Sequence, residues 1–333
     1  MTTTTSAKSS RLEAPQWYKR FVAQFPLWRH PVAYQSAQIN VPQLCVYAPG
    51  WDGEEASFDL HCLKRQTYLL MRGVEVELLP LNEPNASSTD MLPFLVTPGG
   101  ECLSAHEINR FADAHATKGE KALEKRKQLE EKRKKLAAAA KEAAAATEQD
   151  GYQVITPSAS SAQGDEECAE KTRLEADMEA FIMLLETKLQ PALLYWLWCE
   201  QDNYRAITRN YYGSNYTQPL DKIVPWTRQR TITNWVHNRY HGELTRERIY
   251  SDATEALEAV SRRLGKSTWL FDESEPSYAD AVCFAYLHVI LAPDSVPTPE
   301  LQNIVRRFDN LISYRNKVYN HVYAADEDEE STA

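Results

Sequence analysis

The chain has 333 residues, 43% of them hydrophobic, enough for one large core or two modest ones. Its formal net charge is -10, which makes it a poor general partner for nucleic acid or anionic lipid, because both draw net positive surface. Six scattered cysteines (Cys45, Cys62, Cys102, Cys168, Cys199 and Cys283) contain no C-x-x-C pair and read as small hydrophobes kept reduced, not as a disulfide framework.

Residues 1–16 are polar and lack both the apolar core of a secretory signal and the repeated arginines of a matrix-targeting helix. Trp17, Tyr18, Phe21, Phe25 and Trp28 follow as an aromatic strip broken by Pro26 and Pro31. Two readings stay open for it. It is an arm packed on its own domain, or an anchor for a partner, since Trp and Tyr are favoured at interface centres. Residues 1–42 are taken as an N-terminal arm, expected to be partly disordered.

Residues 43–116 carry the pattern of a small α/β domain. Gln43–Tyr47 predicts a short buried strand, and Ala48–Ala56 a turn-rich loop. Ser57 is the expected cap of a helix whose Leu60, Leu63, Thr67 and Leu70 share one face, with Gly73 closing it. Val74–Leu81 predicts a second strand and completes a β-α-β unit. Leu92–Val96, a turn at Thr97–Gly100, and Glu101–Leu103 predict a hairpin. Pro93 opens its first strand, a place that suits an edge or a cis bond. A helix over His106–His115 follows, with Ile108, Phe111 and Ala112 on one side.

Residues 117–170 read as an insertion. Lys118–Lys135 is dense in Lys, Arg and Glu, and Leu136–Ala146 is nearly all Ala, so both favour helix. Leu123, Leu129 and Leu136 are too sparse for a buried stripe. That leaves a solvated extension, or a basic arm for an acidic partner or anionic head groups. Thr147–Glu170 has the composition of a disordered loop.

Residues 171–323 read as helical throughout. Met178, Phe181, Ile182, Leu185 and Leu189 share a face, in a helix expected to continue through a kink at Pro191 to Trp198. Asp252 and Glu255 have capping-box spacing before Leu257, Val260 and Leu264, with Gly265 as the stop. Ser277 and Asp280 have the same spacing before Ala281–Leu291, and the aspartate also suits the positive start of a helix. Ala279–Ala292 is the most apolar stretch, but no window reaches the roughly 18 apolar residues needed to span a bilayer, so it reads as a buried core helix. Thr298 and Pro299 open a last helix with Leu301, Ile304, Val305, Phe308 and Leu311 inward. Residues 324–333 are an acidic tail, expected to be disordered.

The order β-α-β, then β-β-α, then helices resembles that of glutathione transferases. The resemblance implies an α+β, mostly α fold, with a thioredoxin-like N-terminal domain plus an all-α C-terminal domain. Two stretches narrow it. Leu194–Glu200 (LYWLWCE) resembles the metaxin stretch that ends in Trp-Cys-acid, and Tyr212-Gly213-Ser214-x-Tyr216-x-x-Pro219-Leu220 resembles a metaxin segment of the same spacing. Trp269–Phe271 followed by Ser277–Asp280 is similar to the capped core helix of both groups. The resemblance covers residues 43–115 and 175–322. It implies a non-catalytic, peripheral, tail-less subunit of the sorting and assembly machinery on the cytosolic face of the mitochondrial outer membrane. The implied partners are the membrane β-barrel assembly subunit, a second metaxin-like subunit and β-barrel precursor proteins. No cofactor, metal, nucleic acid or direct membrane span is implied. The strip Trp17–Trp28 and the aromatics Tyr211, Tyr212 and Tyr216 are the candidate partner contacts, with core packing as the competing role.

The rival reading is a cytosolic glutathione-dependent transferase. Aligned on Ile108, the family's acid-Ser pair falls on Ser104 and Ala105, so the acid and the second hydroxyl are missing. Tyr47 and Ser57 are the candidates for the thiol role, but Tyr47 sits at a strand end and Ser57 is better used as a cap. Only Pro93 is kept, and its task is to shape the backbone. His237 and His241, four apart, could face a metal together, but no third ligand stands out. Cys62, among apolar neighbours, reads as an inert core thiol.

Overall fold

A computed structural model of the protein describes residues 39–116, apart from 82 and 88, and residues 164–323, apart from 215, 241–243 and 272–274, with side chains from 173 onward in the second stretch. The strip Trp17, Tyr18, Phe21, Phe25 and Trp28, the charged and Ala-rich stretch 118–146 and the tail 324–333 lie outside the described residues.

The strands β1 (Gln43–Val46), β2 (Glu77–Pro80), β3 (Phe94–Val96) and β4 (Cys102–Leu103) form one sheet in the order β2-β1-β3-β4. β1 runs parallel to β2 and antiparallel to β3. Its Leu44, Cys45 and Val46 are all buried, so the unbroken apolar run reflects a strand covered on both faces. Helix α1 (Leu60–Met71) joins β1 to β2, and α2 (Ala105–Ala114) packs beside it. The cap of α1 is Asp59, not Ser57: its carboxylate accepts from the N–H groups of His61 (3.0 Å) and Cys62 (3.2 Å). Ser57 instead donates its hydroxyl to the Tyr47 carbonyl, which fastens the loop to the end of β1.

All other described elements are helical. Helix α3 (Gly164–Leu184) passes through a π-turn (Leu185–Leu189) into α4 (Gln190–Leu194). Pro191 brings no N–H to the ladder, and the widened turn just before it accommodates the ring. Two more π-turns, Tyr195–Cys199 and Tyr204–Thr208, flank α5 (Gln201–Asn203) and lead into α6 (Arg209–Gly213). Then come α7 (Leu220–Arg239), α8 (Arg246–Leu264), α9 (Tyr278–Leu291), α10 (Glu300–Val305) and α11 (Asp309–Val322).

Two helix boundaries differ from the local pattern. α8 starts at Arg246, where Thr245 accepts from the Arg248 N–H at 3.3 Å. Asp252 and Glu255 therefore lie inside the helix, where both pair with Lys188 at the C-terminal end of the first π-turn. The last helix is two, because the chain leaves helical geometry at Phe308 before α11 begins.

Every residue of α9 from Ala279 to Ile290 is buried, which is what a helix apolar on all sides requires. It packs on α1 on one side and on α10 and α11 on others. Ser277 and Asp280 form a capping box at its start. The Asp280 carboxylate also accepts from the Leu270 N–H and the Tyr314 hydroxyl, both at 2.8 Å. The described residues make one structural unit, and among them no helix is long and apolar enough to cross a membrane.

Candidate functional site between the sheet and the helical half

The start of α1 faces α6 and α7, and a charged and aromatic cluster fills the junction. Asp59 turns one carboxylate oxygen to its own helix N-terminus. The other accepts from the Tyr212 hydroxyl at 2.7 Å and stands 3.8 Å from the Arg228 guanidinium. Arg228 donates to the Tyr47 hydroxyl at 2.7 Å. Its guanidinium lies 4.5 Å from the ring centre of Tyr212, 5.3 Å from Tyr47 and 5.6 Å from Trp198, a cationic head held by three aromatic faces.

The electrostatics follow from that packing. Burial opposes the Asp59 carboxylate, but His61, Arg228 and the Tyr212 hydroxyl outweigh it and hold the group below the ordinary carboxylate range. Burial pushes the Tyr47 and Tyr212 phenols up, so both stay protonated. Burial, with Asp59 beside it, pushes the Cys62 thiol well up. A cavity of about 270 Å³ opens next to the cluster, bounded by Tyr47, Tyr212, Tyr216, Glu83, Arg228 and Thr231.

Three further groups of contacts seal the same junction. Trp51 and Phe58 receive Tyr211, with ring centres 4.5 and 5.3 Å away, and the Tyr211 hydroxyl accepts from the Asp52 N–H at 3.0 Å. Lys64 of α1 has no exposed side-chain surface; it donates to Glu186 at 3.0 Å and lies 4.6 Å from the Tyr286 ring centre. His288 of α9, also fully covered, stands 3.3 Å from Glu54 and 3.0 Å from Arg315 of α11.

The motif residues sit where the halves meet or where helices break. Glu200 of the Trp-Cys-acid stretch accepts from Tyr250 (2.8 Å), Arg246 (3.0 Å) and the Thr298 hydroxyl, and so ties the second π-turn to α8 and to the loop before α10. Gly213 ends α6 hard against α7: a Cβ there would lie 2.4 Å from the Asp221 carbonyl oxygen. Tyr211 and Tyr212 are thus engaged inside the chain, while Tyr216 borders the cavity. Pro93 stands before β3 after a cis bond. His237 is exposed near the end of α7, and His241 lies outside the described residues. Nothing in the local pattern marks Arg228 or Lys64, whose partners are distant in the chain. An aspartate one position before Leu60 is itself a cap signal, which the assignment of the cap to Ser57 passes over.

The small mixed sheet with α1 and α2 on it, packed against a helical half through α9, defines a glutathione-transferase-like protein. The family model of the glutathione S-transferase C-terminal domain matches residues 253–318. Residues 62–229, half of the chain, match the model of the Tom37 family, outer mitochondrial membrane transport complex protein, and the chain belongs to that family. Similar proteins include human Metaxin-2 (28% identical, covering 45% of this chain and 56% of that one) and mouse Metaxin-1 (31%, covering 47% and 51%). Zebrafish (Danio rerio) Metaxin-3 is 32% identical over 44% of this chain and 49% of its own. The chain spans about half the length of the curated relatives it matches. Among solved structures, beta-etherase LigF from Sphingobium sp. strain SYK-6 aligns at 13% identity and a TM-score of 0.42, covering 84% of this chain and 95% of that one. Glutaredoxin 2 from Salmonella typhimurium, in complex with glutathione, aligns at 11% and 0.42, covering 86% and 99%.

Proposed function

We propose that the chain is a non-catalytic subunit, peripheral to the cytosolic face of the mitochondrial outer membrane. There it binds the β-barrel assembly subunit, pairs with a second metaxin-like subunit and helps hold or release β-barrel precursors. The observation that carries the non-catalytic part is Asp59. The N–H groups and positive end of a helix favour a thiolate. At α1 that place is taken by a buried carboxylate, itself held by Tyr212 and Arg228, and a second anion beside it would be repelled.

The remaining groups support the same reading. Tyr47 is engaged by Arg228, and its phenol is pushed away from ionisation. Ser104, at the place of the acid-Ser pair, spends its hydroxyl on Glu107 at 2.7 Å. Burial raises the Cys45 thiol to about 12 and the Cys283 thiol further. For binding, β2 and β4 are the edges of the sheet, where an extended precursor segment can add as a strand.

Affinity purification of the tagged full chain from mitochondria tests the partners: the β-barrel assembly subunit should co-purify in stoichiometric amount. Titration calorimetry with glutathione should show no saturable heat. Tight glutathione binding, or recovery of the chain without any outer-membrane partner, would overturn this assignment.

A further inference from the structure

We propose that the outward face of α7 lies against the anionic lipid surface of the membrane. Leu220, Ile223 and Trp226 are 48, 46 and 53% exposed, large apolar side chains that a water-facing helix has no reason to carry. With Arg230 they follow one another at three- and four-residue steps, so they form one strip along the helix. Lys222 and Arg230 are exposed beside it and have no ion-pair partner among the described residues.

The charge is local and opposite to that of the chain. Helix α7 holds Lys222, Arg230 and Arg239, besides the inward Arg228, against Asp221 alone, whereas the chain as a whole carries -10. Asp221 offsets one of these cations, and the remainder is still positive. The overall charge that argues against lipid binding therefore does not describe this surface. Tryptophan is the side chain that settles at the boundary between head groups and acyl chains, and Lys and Arg beside it reach the phosphates.

The face is presented by a fixed helix. On its inner side Arg228 is held by Tyr47 and Asp59, and Gln229 donates to the Trp198 carbonyl at 2.8 Å. Pro225 and Val236 are buried, and Gly213 lets α6 close on the helix start. A strip of three apolar side chains is narrow for a protein partner, since stable interfaces cover about 800 Å² on each side. A shallow, cation-flanked strip suits the plane of a bilayer.

The inference rests on the membrane location in the proposed function and not on barrel binding or precursor handling. The test is flotation of the purified full chain with phosphatidylcholine vesicles and with vesicles containing about 30 mol% cardiolipin. The chain should float only with the cardiolipin vesicles and detach at about 0.5 M salt. The variants Ile223→Ser/Trp226→Ser and Lys222→Glu/Arg230→Glu, shown by thermal melting to be folded, should each bind at least about tenfold more weakly. Three results would overturn the proposal. The first is no flotation of the parent chain. The second is undiminished flotation of both variants, which would move lipid binding to another segment such as 118–135. The third is loss of a dimer or of the barrel subunit in the variants with vesicle binding unchanged, which would assign the strip to a protein. Barrel-precursor insertion into isolated mitochondria, measured alongside, reports on the proposed function separately.

Discussion

Asp280 has no exposed surface, and its two carboxylate oxygens serve four donors: the N–H and hydroxyl of Ser277, the Leu270 N–H and the Tyr314 hydroxyl. Asp280→Ala leaves those donors buried and unpaired, and should cost about 3 kcal/mol or more, read as a lower urea midpoint with unchanged slope. Arg228→Leu leaves the Asp59 carboxylate with Tyr212 and its own helix start, and because the Arg228 side chain is partly exposed the loss should be about 1–3 kcal/mol; Asp59→Asn in the same chain should recover part of it, measured as a double-mutant cycle. The thiols supply a third check. Cys102 is exposed, whereas Cys45, Cys62 and Cys283 are buried with raised thiol pKa. Brief alkylation followed by mass spectrometry should label Cys102 in the folded chain and those three only after unfolding. The Ser277–Asp280 cap was legible because both partners lie within one helical turn. The Asp59–Tyr212 bond was not, because 153 positions separate its ends and no local rule joins them.

At the scale of elements, one imidazole of α9 faces both the loop after β1 and α11. His288 is stacked between Phe284 and Tyr319, faces Glu54 and Arg315, and burial holds its pKa below 6.5. A base with a depressed folded pKa takes up its proton more readily in the unfolded chain. Its contribution is therefore complete above 6.5 and lost as pH falls below that value. Glu54, whose carboxyl the facing His288 holds below the ordinary carboxylate range, adds its own loss only as pH falls through that range. Thermal midpoints should decline through the first window, and His288→Gln should flatten that decline. Helix existence was readable from periodicity, as in α1 and α9. Helix ends were not: Thr245 won the start of α8 because Asp252 and Glu255 are drawn to Lys188 from another helix. The π-turn before Pro191 follows from that ring, whereas nothing local marks Tyr195–Cys199 as widened.

Across the molecule, the sheet and the helical half share their interior. α1 lies on α9, the Thr67 and Tyr323 hydroxyls meet at 2.8 Å, and Tyr212 and Arg228 close the other end. Heating followed by calorimetry should show one cooperative transition, and residues 39–116 expressed alone should lack fixed tertiary structure; two separable transitions would contradict the shared interior. The order of strands and helices made this architecture legible from motif resemblance. The exposed strip on α7 was not, because its apolar residues look like any core stripe until the packing shows which side of the helix faces out.

Lys64 carries a consequence for how the protein is made. Its carboxylate partner lies 122 residues further along the chain, and the Tyr286 hydroxyl 222 residues further. While the ribosome is still delivering those residues, the ammonium has no partner to bury against, so the first half cannot close around it. The part translated first is then completed last, and until that moment a nascent chain has reason to stay in the hands of chaperones.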